Sequence, residues 1–129
     1  MGRALRPLRD EGILVAASGG IVHNLRRVHF AGKDAAVDGW AARFDAWVAE
    51  RAASGNFDEL FAYRELAPDA DWAAPTSEHF DPLFVTLGAA FPEEPVQTIF
   101  EGFQYGNLSM RSFSFEAGGG GQRRSQSAN

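Results

Sequence analysis

Three histidines, His23, His29 and His79, are the side chains of this 129-residue chain best suited to chemistry near neutral pH. An imidazole can act as a general acid or base, and a neutral one can give a ring nitrogen to a metal. His23 lies in "ASGGIVHNL" (residues 16–24), behind a small, apolar run and a pair of glycines. In open α/β sheets, ligands gather beyond the carboxyl ends of the strands, at turns of this kind. His79 lies in "PTSEHFDPL" (75–83), in the first turn of a predicted helix behind a Pro-containing loop. Loops at sheet ends are where sites assemble. His29, in "RRVHF", has no comparable setting and reads as a surface residue.

Other chemistries are excluded by what is missing. The chain has no Cys, so disulfides and thiolate metal sites are ruled out. Ser18 follows an apolar run but does not stand in G-x-S-x-G. "SGG" could cradle a phosphate, yet neither G-x-G-x-x-G nor G-x-x-x-x-G-K-[ST] occurs. Non-haem Fe(II) chemistry wants three protein ligands with open positions beside them, and two histidines do not complete such a set. Glu78 and Asp81 are acidic neighbours of His79, but spacing alone does not single them out.

The elements that must hold these residues follow from periodicity and punctuation. Residues 2–11 predict a helix stopped by Gly12. "ILVAAS" (13–18) predicts a short strand buried on both faces, of the parallel α/β kind. The clearest helix is 38–56, capped by Asp38, with Trp40, Phe44, Trp47 and Val48 as its buried stripe. A shorter helix is expected at 57–64 and a loop at 67–75. Thr76 is placed as the cap of a helix over 75–91, bent or restarted at Pro82. "PVQTIFEGF" (95–103) and "LSMRSFSFE" (108–116) alternate like strands around a turn at 105–107 and are expected to pair antiparallel. Residues 1–116 therefore read as one folded portion, and 117–129, rich in Gly, Ser and Arg, as a disordered tail.

The net charge is −5, but Arg3, Arg6, Arg9, Arg26 and Arg27 concentrate positive charge in the first 29 residues. The acidic remainder argues against nucleic acid as a partner. Arg3, Arg6 and Arg9 share one helical face, either solvated or able to dock on an acidic surface. No run approaches the roughly 18–20 apolar residues that cross a bilayer. "MGRALRPLRDEG" lacks the apolar core of a secretory signal. A soluble, cytoplasmic protein with no membrane partner is expected.

Taken together, "LRPLRDEGILVAASGGIVHNLR", "PTSEHFDPLFVTLGAA" and "EGFQYGNLSMRSFSF" resemble the C-terminal half of the class III extradiol ring-cleavage dioxygenases. The nearest likeness is to the DOPA-dioxygenase type of the LigB-like superfamily. The resemblance implies an α/β fold, a mixed β-sheet flanked by helices, of which this chain would be an incomplete half. It implies a single Fe(II), which zinc can replace, and a catechol-type substrate opened beside its diol by O2. By motif, His79 corresponds to the family's C-terminal metal ligand. His23 corresponds to an acid/base histidine beside the metal. The family's two further metal histidines belong to an N-terminal half with no counterpart here, so the isolated chain is expected to be incomplete and inactive. An N-terminal half or partner chain would complete it, and the basic face of Arg3, Arg6 and Arg9 could belong to that surface. Gly20 and Asn107 stand where relatives often carry other residues, Asn107 in place of Ser. The alternative is a non-catalytic binding or assembly module, or a decayed fragment, that keeps part of the fold.

Overall fold

A computed structural model describes residues 1–116; the tail expected at 117–129 lies outside the described residues. The helices are α1 (Gly2–Asp10), α2 (Gly39–Ala53), α3 (Phe57–Phe61), α4 (Tyr63–Leu66), α5 (Ala70–Ala73) and α6 (Asp81–Ala89). The strands are β1 (Val96–Phe100), β2 (Phe103–Gln104), β3 (Leu108–Ser109) and β4 (Ser112–Phe115). The expected α/β class is observed, as helices packed with small antiparallel sheets. β1 pairs with β4 in the register Val96–Phe115, Gln97–Ser114, Thr98–Phe113, with an irregularity before Phe100–Ser112. β2 pairs with β3 around Tyr105 and Gly106, both at positive φ.

α2 is the axis of the core. Its stripe buries Ala41, Phe44, Val48 and Ala52, while Trp40 and Trp47 pack against it only partly buried. Phe44 meets Phe80 edge-on at 5.8 Å between ring centroids, and Phe80 meets Tyr63 at 4.7 Å. Such edge contacts add to the gain from simple burial. Asp38 occupies the N-cap position of α2, but its carboxylate does not cap. It accepts instead from Asn107 Nδ2 at 2.9 Å and lies 3.1 Å from His29 Nε2. Those contacts hold the carboxyl group below the usual carboxylate range, Asn107 contributing most.

α1 lies against α6, and two glycines let them touch. A Cβ on Gly2 would fall 2.2 Å from the Val85 carbonyl oxygen, and one on Gly88 would fall 2.9 Å from Gly2 Cα. This contact draws Arg6 and Arg9 of the basic face against α6, so that the expectation of a solvated face holds only at Arg3, which stays exposed. Arg6 donates to the Gly88 carbonyl at 3.0 Å and Arg9 to the Ala89 carbonyl at 3.1 Å. Both cations thus satisfy carbonyls at the C-terminus of α6, where the helix dipole favours positive charge. Arg9 also forks onto Glu94, at 2.5 and 2.6 Å.

Four local expectations are corrected. Residues 13–18 form no strand among the described residues; they carry no regular secondary structure and are largely exposed, with no other strand paired to them. The segment 57–64 divides into α3 and α4 at Ala62, and the expected loop at 67–75 contains α5. The helix expected from Thr76 begins instead at Asp81, after bends and turns. Pro82 therefore sits in the first turn, where the missing N–H costs no intrahelical bond, and it introduces no bend. No described helix is long and apolar enough to cross a membrane.

Candidate active site

Each of the two singled-out histidines stands directly beside a buried apolar anchor. Val22, 1% exposed, precedes His23, and Phe80, 1% exposed, follows His79 in the aromatic core. Alternation at these positions sends one side chain into the core and leaves its neighbour at the surface. The backbone then fixes the two segments. The His23 N–H donates to the Ala73 carbonyl at 2.9 Å, and the Gly20 N–H donates to the His79 carbonyl at 2.7 Å. The approach at 19–20 demands a glycine: a Cβ on Gly19 would stand 2.2 Å from the His79 carbonyl oxygen. "SGG" is thus a close backbone contact between the two histidine-bearing segments.

The result is a stacked pair. The His23 and His79 rings lie 3.7 Å apart between centroids, inclined by 23°. Both are half-buried, with the His79 side chain 44% exposed. Two imidazoles at this distance cannot both be protonated cheaply. Partial burial, then the neighbouring His79, push the His23 pKa below its ordinary value, which leaves His23 a neutral base at pH 7. Glu78 Oε1 stands 3.8 Å from His79 Nε2 and accepts from the Thr76 hydroxyl at 2.8 Å. Asp81 is engaged elsewhere, accepting from the Ser77 hydroxyl at 2.9 Å at the start of α6.

The pair lines a cleft of about 660 Å³, together with Asn24, Arg27, Trp72, Pro75 and Glu78. Asn24 is nearly buried; its Nδ2 donates to the Trp72 carbonyl at 2.8 Å and its Oδ1 accepts from the Arg26 N–H. The Arg27 guanidinium lies over the Trp72 ring, 3.8 Å from its centre. Behind this wall, fully buried Asn107 donates to the Arg27 carbonyl at 2.7 Å as well as to Asp38, tying the loop after His23 to α2 and to the β2–β3 turn. Asn24 and Asn107 carry this support, and sequence reasoning left both without a role. The only signal for Asn24 was its place directly after His23. His29 lies apart from the pair, half-exposed against Asp38, in keeping with a surface residue that helps to hold the loop.

As a metal centre the site is partial. His79 offers an accessible imidazole and Glu78 a carboxylate near it, but among the described residues no group of three His, Cys, Asp or Glu converges. These residues can give one or two ligands to a metal, and a three-ligand face would need donors from beyond them.

Residues 1–115 match the family described as the catalytic LigB subunit of aromatic ring-opening dioxygenase. Among similar proteins, the 4,5-DOPA dioxygenase extradiol of Escherichia coli (strain K12) is 40% identical over 114 residues, covering 87% of this chain and 42% of that protein. The protein of the same name from Beta vulgaris is 36% identical, over 89% of this chain and 42% of its own length. The crystal structure of an uncharacterized protein from Escherichia coli K12 superposes with a TM-score of 0.73 at 35% identity, over 87% of this chain and 46% of that one. The chain thus spans less than half the length of the relatives it matches. On a match that runs through every described element, the chain belongs to the LigB family of aromatic ring-opening dioxygenases.

Proposed function

We propose that this chain is the C-terminal portion of a non-haem Fe(II) extradiol dioxygenase, which opens a catechol-type ring with O2 once an N-terminal half or partner chain completes the site. The observation that carries this reading is the stacked, half-exposed His23–His79 pair on an open cleft. Relatives named for DOPA, itself a catechol, support the substrate class. His79 would supply one ring nitrogen to the metal, with the remaining ligands coming from the completing half. When bound, Fe(II) would supply Lewis acidity toward the substrate's hydroxyl groups and the redox capacity that O2 requires, which zinc in its place would not.

The chain's own residues do the rest. His23, kept neutral by burial and by its neighbour, accepts the proton of a substrate hydroxyl at a ring nitrogen. Trp72, with Arg27 over its ring, and Pro75 line one wall of the cleft, and Asn24 fixes the backbone of that wall. Gly19 and Gly20 set the spacing of the two imidazoles through the His79 carbonyl.

The test is anaerobic titration with Fe(II) of the chain alone, and of the chain mixed with the N-terminal segment of the Escherichia coli relative, followed by catechol-dependent oxygen uptake. The mixture is expected to bind iron and consume oxygen, and the chain alone to do neither. A mixture that associates but binds no iron would refute the dioxygenase reading. It would favour a non-catalytic assembly module instead.

A further inference from the structure

The cleft beside the histidine pair carries two cations that the rest of the fold does not use. Arg26 and Arg27 both line it. Among the described residues, their hydrogen bonds belong to the backbone alone. The Arg26 N–H donates to Asn24 Oδ1, the Arg27 N–H donates to the Asn24 carbonyl, and the Arg27 carbonyl accepts from Asn107. The acids of the same cleft are engaged elsewhere. Glu78 accepts from the Thr76 hydroxyl and faces His79, and Asp71, 91% exposed, lies 4.0 Å from Arg64, outside the cleft. Behind the wall, Asp38 feels the charge of Arg27, but its carboxylate is taken up by Asn107 and His29.

Arg27 is the better placed of the two. Its guanidinium lies 3.8 Å from the centre of the Trp72 ring. Stacking spends the face of a guanidinium and leaves its N–H edge free, and the edge is what binds a carboxylate, two N–H groups to two oxygens. The backbone beneath the stack is fixed on both sides: Asn107 holds the Arg27 carbonyl at 2.7 Å, and Asn24 holds the Trp72 carbonyl at 2.8 Å. A cation held in this way has less freedom to lose when an anion binds. The stack also covers one face of Trp72, so this wall meets an incoming aromatic ring with charge in place of that indole face.

We propose that Arg27 is a specificity-determining residue of the cleft, receiving a carboxylate carried by the same ring whose hydroxyls reach the histidines. The inference rests on the dioxygenase reading and deepens it, because a neutral catechol would leave the guanidinium without a partner. His23, His79 and Arg27 open on one space of about 660 Å³, a size that suits a single small molecule. A carboxylate supplied by the completing half is the other source of the same chemistry, and the test separates the two.

The probes are dihydroxyphenylacetate with adjacent hydroxyls and the neutral amide of the same acid. They are titrated, without air or metal, into the full chain, alone and mixed with the N-terminal segment of the Escherichia coli relative. Proton–nitrogen NMR reads the Trp72 indole N–H and the Arg27 Nε–H. The acid is expected to shift both signals and, in at least one preparation, to bind about tenfold more tightly than the amide. Arg27→Gln should make the two probes equal, and Arg27→Lys should restore part of the preference. Arg26→Gln should keep most of it. The side chains of both arginines are exposed, so the variants should melt as the parent chain does. A preference that survives Arg27→Gln overturns the proposal, as does equal or absent binding of the two probes in both preparations. Equal binding, together with weaker association of the two segments in Arg27→Gln, assigns the guanidinium to a carboxylate of the completing half. Iron binding and oxygen uptake in the mixture without a preference for the acid overturn this inference and leave the dioxygenase reading standing. A preference lost in Arg27→Gln, in a mixture that associates but binds no added iron, supports the anion site and refutes that reading.

Discussion

Two polar clusters in this fold put similar chemistry to opposite ends. In the first, Asp45 on α2 is 3% exposed and accepts from Ser109 at 2.5 Å and from Arg111 at 2.7 and 3.0 Å. Each acceptor meets a donor, and the guanidinium is held firmly protonated by the carboxylate. In the second, His23 and His79 bond the structure through their backbones, and their half-exposed rings face a cleft. The first cluster spends its side chains on one another and fastens the β3–β4 segment to α2. The second spends only main chain on the fold and keeps its side chains free. Buried, mutually satisfied charge marks architecture; exposed imidazoles pinned from behind mark a candidate site.

That contrast can be broken first at Asp45. Asp45→Ala strands the Arg111 guanidinium and the Ser109 hydroxyl without their buried partner, at a cost of about 3–5 kcal/mol. Urea unfolding measures it, and a loss below about 1 kcal/mol would mean that the cluster is not the fastening described. Gly19→Ala comes next. Its methyl group would collide with the His79 carbonyl, and overpacking of this kind costs about 1–3 kcal/mol. It should also separate the two imidazoles, visible as changed ring-proton shifts of both histidines; unchanged shifts would show that the glycine contact does not set the pair.

A third prediction concerns acid. Arg9 is the main cause holding the Glu94 carboxyl below its ordinary pKa, with the Phe91 N–H assisting. A depressed folded pKa gives stability that is full above the unfolded value and lost as pH falls through the folded one. Glu94→Gln should therefore flatten the decline in stability below about pH 4.5, and an unchanged acid profile would contradict the role given to the Arg9 fork. The smallest stability effect belongs to the site itself. His23→Ala and His79→Ala should each change the unfolding free energy by no more than about 0.5–1 kcal/mol, because the anchors Val22 and Phe80 remain.

Local pattern made part of this legible. The three- and four-residue spacing of Phe44 and Val48 announced α2, and alternation around Tyr105–Asn107 announced antiparallel pairing near the C-terminus. The two motifs placed His23 and His79, which the fold brings into contact. What stayed hidden depends on partners distant in sequence. Nothing near Arg9 indicates that it will meet Glu94, and nothing near Asn107 indicates that its amide will join Arg27 to Asp38. Thr76 has the composition of a cap, yet its hydroxyl is drawn to Glu78 and α6 starts five residues later. The apolar run 13–18 has a strand's composition without a strand's neighbours, and composition cannot supply the neighbours.

The most direct test of the central claim is ferrous-ion binding by the completed protein carrying His79→Ala or His23→Ala, with oxygen uptake measured in parallel. The account predicts that His79→Ala abolishes iron binding, while His23→Ala keeps the iron and slows turnover by about 10²–10⁴-fold. Iron retained by His79→Ala, or lost from His23→Ala, would contradict it.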